Sequence, residues 1–135
     1  MLQRDYLMRM FSAFFQALTK SLEREKEKDW EAAADTLENA ISQATDIDGA
    51  VLLSLAPESM ASILQVSGTD PRVIEYIANS LKLESEYLSK AGDEGASGLR
   101  LAQAQALADA YGIQLAETIQ DFMDEVDKQD ILEAE

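Results

Sequence analysis

From Tyr6 to Leu22 the apolar residues Tyr6, Leu7, Met10, Phe11, Phe14, Phe15, Leu18 and Leu22 recur every three or four positions, with Arg9, Ser12, Gln16 and Lys20 between them. A strand, with its period of two, would scatter these side chains over both faces, whereas a helix gathers them on one. The spacing predicts one long amphipathic helix from Arg4 to about Lys26. Its face is wide, because positions 6, 10, 14, 18 and 22 form one row and 7, 11 and 15 a second, so more than one neighbour is needed to cover it. The rest of the chain does not offer a sheet as that cover. Two Pro and six Gly in 135 residues are too few turn formers for many short strands, and abundant Ala, Leu, Glu, Lys and Gln favour helix. The expectation is an all-α fold.

Punctuation along the chain divides it into further helices. A turn is expected near Lys28-Asp29, then a helix to Ala44 with Trp30, Ala33, Leu37, Ala40 and Ile41 on one face, broken by Asp46-Ile47-Asp48-Gly49. Ala50–Leu55 is apolar enough for a buried strand but has no partner strand, and it is read as a short helix. Pro57 suits the first turn of another, since its missing N–H would have no intrahelical acceptor there. Met60, Ile63 and Leu64 are its expected buried face. Asp70-Pro71 is the strongest start signal, with an N-cap acceptor followed by a preset φ. The helix it opens reaches Ala91 and turns Val73, Ile74, Ile77, Leu81, Tyr87 and Leu88 inward. Glu94 to Tyr111 follows, using Leu99, Ala102, Ala106 and Leu107 and ending at Gly112. A last helix carries Leu115, Ile119, Phe122, Met123 and Val126. One domain over residues 1–127, with an acidic tail over 128–135 that frays, is expected.

Absent residue types exclude much chemistry. The chain has no Cys and no His, which removes disulfides, thiol nucleophiles, the usual zinc sites and imidazole acid–base schemes. Its 26 acids and 11 bases give a net charge of −15. Residues 1–28 run against this, with six bases and four acids, so that segment is +2 and the other 107 residues are −17. A field of that sign repels phosphate backbones and anionic lipid, so neither nucleic acid nor membrane is an expected partner. No run approaches 18 apolar residues, and charges interrupt the first nine, so a membrane span and a secretory signal are not expected and a cytoplasmic location is.

Three motifs with chemical associations fail on their own requirements. Asp46-Ile47-Asp48-Gly49 has the alternating oxygens and glycine of a calcium loop, but the first and twelfth ligand positions would be Ala44 and Leu55. A helix-ending turn is the better account. Gly92-Asp93-Glu94-Gly95-Ala96-Ser97-Gly98 follows a helix rather than a strand and presents two acids, which does not suit phosphate. Asp121, Asp124, Glu125 and Asp127 lack the His of a di-iron site and read as a solvated acidic face. No catalytic residue, metal ligand or cofactor-binding residue is singled out, and no cofactor is expected.

The segment Asp29-Trp30-Glu31-Ala32-Ala33-Ala34-Asp35-Thr36-Leu37-Glu38-Asn39-Ala40-Ile41 resembles the second helix of a tetratricopeptide repeat. Trp30, Ala33, Leu37 and Ala40 fill the aromatic, small, large and small positions, where small residues let paired helices approach and large ones fill the groove between them. A second copy matches Leu81, Ser85 and Leu88 in a first helix and Ser97, Leu101 and Ala104 in a second, with Gly92-Asp93 as the turn. Gln3–Met10 and Leu52–Glu58 are similar to a family of small bacterial proteins with a tetratricopeptide-like domain, a likeness that carries no activity. The copies lie 64 residues apart, off the 34-residue period. The fold is therefore expected as antiparallel helical hairpins in a right-handed superhelix, or as a bundle obeying the same packing rules. What the resemblance implies is a non-enzymatic module that binds a protein or peptide, one presenting basic or apolar side chains to an acidic surface. The alternative is a small-molecule-binding or catalytic helical domain. Tyr6, Met10, Phe11, Phe14 and Phe15 are expected to be buried in the core or across a homodimer interface, in preference to forming a membrane-surface helix with Arg4, Arg9 and Lys20.

Overall fold

Each helix begins or ends at a residue whose local chemistry accounts for it. In the computed structural model, which describes residues 2–45 and 47–134, these helices are α1 (Leu2–Lys26), α2 (Trp30–Ala44), α3 (Gly49–Ser54), α4 (Pro57–Val66), α5 (Pro71–Lys90), α6 (Glu94–Tyr111) and α7 (Ile119–Ala134). Asp46, expected to help break the second helix, lies outside the described residues. The carboxylates of Asp29, Asp48, Asp70 and Asp93 accept from the backbone N–H groups of Ala32, Ala50, Arg72 and Ala96, capping α2, α3, α5 and α6. Each satisfies a donor that the first turn leaves free. At the other end of α6, Gly112 sits at φ 65° and stops the helix in a conformation that residues with a Cβ adopt reluctantly.

The described chain is all helix with no strand. Three-residue turns fold α1 onto α2 and α5 onto α6 as antiparallel hairpins, and α2 and α1 then both pack on α5. The short α3 rests on α2, α4 on α6, and α7 on α5. Helix α5 thus lies at the centre and buries residues all around its circumference, from Val73 to Tyr87. One hydrophobic core cluster takes side chains from all seven helices. In it Tyr76 stacks on Phe11 and Phe14, with ring centroids 5.3 and 5.4 Å away, and meets Phe122 edge-on at 5.1 Å. At Gly49 an added Cβ would fall 2.6 Å from the Ser42 Cβ, so only glycine lets α3 come this close to α2.

Within the single chain Phe11 and Phe14 are buried in the core, Met10 and Phe15 are half-buried and Tyr6 is 53 % exposed. The two apolar rows of α1 are therefore covered unequally, because α2 and α5 lie over one side of them only. Other expectations need correction. Ile63 is exposed, since α4 turns Met60, Ala61 and Leu64 inward instead. On α6 Leu107 is buried as expected, while Leu99, Ala102 and Ala106 are only half-buried at the side of the fully buried face. That face holds Ser97, Gln103, Ala104, Leu107 and Ala108, and Leu101 is exposed. Leu115 precedes α7 in a non-helical segment whose backbone is held from α5, where Lys82 donates to the carbonyls of Ala116 and Glu117 and Asn79 accepts from the Ala116 N–H. Helix α7 itself starts at Ile119 and runs to Ala134, and residues 120–134 include neither Gly nor Pro.

Candidate functional site

Two places gather functional groups, one sealed inside the fold and one open on its surface. The sealed one centres on Arg100 of α6, whose side chain is only 12 % exposed. Its Nε donates to Glu84 Oε2 of α5 at 2.9 Å, its Nη1 to the Leu53 carbonyl at 2.7 Å and to Gln103 Oε1 at 3.2 Å, and its Nη2 lies 3.7 Å from Glu38 Oε2 of α2. Gln103 Nε2 donates to the carbonyls of Leu53 and Leu55 at 3.0 and 2.9 Å. These carbonyls end α3, a helix too short to satisfy them itself, and a cation at that negative end is favourable. Four helices are thereby tied at one point.

The protonation of this cluster follows from its charge count. Two carboxylates share one guanidinium, and Glu84 is fully buried. Burial, followed by the hydrogen bond and charge of Glu38, pushes the Glu84 pKa up to about 9, against the opposing pull of Arg100. With its pKa that high Glu84 is neutral at pH 7, and its Oε1 has no hydrogen-bond partner among the described residues. An acid of this pKa could act in catalysis, but Glu84 is walled off by its partners, so its chemistry is that of a buried strut. Tyr87, raised to about 12 by burial, is likewise internal, 3.4 Å from the Ser21 hydroxyl. Burial also raises Glu75, which faces Glu125, and Tyr111.

The open place is a groove of about 600 Å³ on the side of the α1–α2 hairpin that faces away from α5. Along α1 it is lined by Tyr6, Arg9, Met10, Ala13, Phe14, Gln16, Ala17 and Lys20, a stripe at helical spacing, and along α2 by Thr36, Asn39, Ala40, Gln43 and Ala44. A second hollow of about 280 Å³ shares Tyr6, Met10 and Ala44 and extends it to the Ser67–Asp70 turn. The floor is largely alanine, the rim polar. No acid lines the larger hollow, although α2 carries Glu31, Asp35 and Glu38, since these leave the helix at other angles. Arg9 and Lys20 form no ion pair among the described residues.

The residues singled out by sequence divide between these places. Trp30 is half-buried at the α1–α2 turn, its ring 6.3 Å from Tyr87 and 4.7 Å below the Lys90 ammonium. Ala33 and Leu37 are buried in the core, while Ala40 is in the groove floor. Leu81 and Ser85 are buried and Leu88 half-buried; Ser85 and Ser97 donate to each other's carbonyls at 2.8 and 2.7 Å where α5 and α6 come closest. Sequence reasoning missed Arg100, Gln103 and Glu84, which look like ordinary surface residues of helices. It also missed the α2 wall of the groove, whose one signal is alanine at 13, 17, 40 and 44, spaced by four on both helices.

Among the described residues, no helix is long and apolar enough to cross a membrane, and no three acids converge as a metal site. Comparison with family models, curated proteins and solved structures finds no match to this chain.

Proposed function

We propose that the chain is a non-enzymatic interaction module built from tetratricopeptide-like helical hairpins, which takes a segment of another protein, or a peptide, in the groove on the outer face of α1–α2. The observation that carries this reading is the groove itself, an alanine-floored hollow along two helices with half-exposed Tyr6 and Met10 at one end. The order of packing agrees with it: α1 on α2, α2 on α5 and α5 on α6 is how successive two-helix repeats stack. The groups with the largest pKa shifts, Glu84 and Tyr87, are internal and do not line the groove. Operation without a cofactor and a cytoplasmic location belong to the same proposal.

A small-molecule site is the second reading, supported by a volume within the roughly 300–1,000 Å³ of ligand pockets. Against it, the two charged groups stand three helical turns apart rather than converging on one point. Affinity capture from native cell extract, with wild type beside Ala17→Arg, tests the proposal. Proteins held by wild type and lost on Ala17→Arg are expected, because the new side chain fills the groove from its floor. Equal capture by both forms would overturn it.

A further inference from the structure

We propose that the occupant of the groove is an acidic amphipathic helix about four turns long, an inference that rests on the interaction reading and adds the chemistry of the partner. Dimensions come first. From Tyr6 to Lys20 the α1 wall rises about 21 Å, the length of roughly 14 helical residues. Alanines at 13, 17, 40 and 44 leave room for a third helix to settle against both walls at ordinary interaxial distances, in a way that large side chains would forbid.

Charge then selects the kind of helix. The chain is −15 overall, yet the charged side chains lining the larger hollow are Arg9 and Lys20, and the acid Asp70 lines only the smaller hollow beyond Tyr6. At physiological ionic strength the screening length is about 8 Å, so groups within the groove outweigh the distant acids. The two cations stand 11 residues apart, about 16 Å along α1. A partner helix with acids at the same separation meets both, while its apolar stripe covers Met10 and the alanine floor. A partner presenting basic side chains, as the net charge suggests, suits other faces of the molecule but not this one.

A second copy of the chain is the obvious rival, and the same two residues argue against it. In a two-fold dimer through this face, parallel α1 helices would set Arg9 against Arg9 and Lys20 against Lys20. Antiparallel ones would set Arg9 against Lys20. Both of these registers oppose like charges across an interface that would exclude water, which is costly.

Three fluorescent peptides, capped at both ends and sharing one Leu/Ala stripe over four turns, test the proposal when their flanks are Glu, Gln or Lys. Anisotropy with the full chain at physiological salt is expected to show the Glu peptide binding about tenfold tighter than the Gln peptide, which is about 1.4 kcal/mol, with the Lys peptide weakest. Arg9→Gln/Lys20→Gln should abolish that preference while leaving the Gln peptide's affinity in place. Equal binding of all three peptides, no binding, or a preference that survives the double substitution would overturn the proposal, as would Arg9- and Lys20-dependent sedimentation with phosphatidylserine vesicles in the absence of a peptide preference. Failure here with capture still sensitive to Ala17→Arg removes the acidic partner and leaves the groove reading standing, so the two are separable.

Discussion

The two hairpins, α1–α2 and α5–α6, are built on one plan and use it oppositely. In α5–α6 both helices are covered: α5 by α1, α2 and α7, and α6 by α4. Polar side chains there, Ser85, Ser97, Glu84, Arg100 and Gln103, are therefore shut from water and bond to one another or to a backbone carbonyl, with only Glu84 Oε1 among them left without a partner. In α1–α2 the side toward α5 is covered and α3 packs on α2, while the side that carries the groove stays open. Its polar side chains, Arg9, Gln16, Lys20, Asn39 and Gln43, stay in water, and small residues between them leave a trough. The contrast teaches that a helical hairpin's role is set by how many of its faces are covered, and a polar residue there is a strut in one case and a contact in the other.

The sharpest way to break this contrast is Arg100→Ala. It strands Glu84 and Glu38 beside each other and leaves the Leu53 carbonyl one donor short, so a loss of about 3–5 kcal/mol is expected in urea unfolding. A loss below about 1 kcal/mol would mean that the cluster is not the strut described above.

The pH dependence follows from Glu84, and its sign is fixed. Its pKa is higher in the folded chain, about 9, than in the unfolded one, about 4.5, so between those values the folded state holds a proton that the unfolded state has lost. The stability this contributes is complete below pH 4.5 and is lost as pH rises through 9. The thermal midpoint should fall by several degrees between pH 6 and pH 9, and Glu84→Gln, which mimics the neutral acid, should flatten much of that slope. Groove substitutions should leave it unaltered.

Trp30→Ala should cost about 2 kcal/mol by denaturant titration, because the indole is half-buried against Tyr87 and Lys90 rather than enclosed. The hairpin turns give a smaller effect. Lys28 ends α1 at φ 59°, where the corresponding turn of α5–α6 has Gly92 at φ 91°. Lys28→Gly should therefore stabilise by about 0.5–1 kcal/mol, raising the midpoint slightly. Smallest of all, Ala13→Gln in the exposed groove should change stability by less than about 0.5 kcal/mol. A large loss there would show that the groove residues bear on the fold.

Much of this molecule was legible along the chain. Asp29, Asp70-Pro71, Gly92 and Gly112 mark helix ends because capping and left-handed termination act within four or five residues. The double apolar row of α1 announced a helix needing several neighbours. Periodicity misled on α6, where Leu99 and Ala102 suggested an apolar inner face and the buried positions are Gln103, Ala104 and Leu107, with Arg100 reaching in beside them. The open hairpin gave almost no signal, since alanine spaced by four reads equally as helix propensity.

What the sequence determined by itself is the set of helices and most of their ends, through hydrogen bonds and side-chain faces that depend only on near neighbours; the start of α7 is the exception. Which faces are buried was decided by tertiary packing. Arg100 meets a carbonyl 47 residues away and Gln103 one 50 residues away, and nothing in the spacing of either residue encodes those partners. Burying a charge or amide is favourable only when every partner arrives together, so the same residue types lie on solvated faces elsewhere in this chain. The groove, likewise, exists because α5 lies on one side of the α1–α2 hairpin and, among the described residues, no helix covers the other.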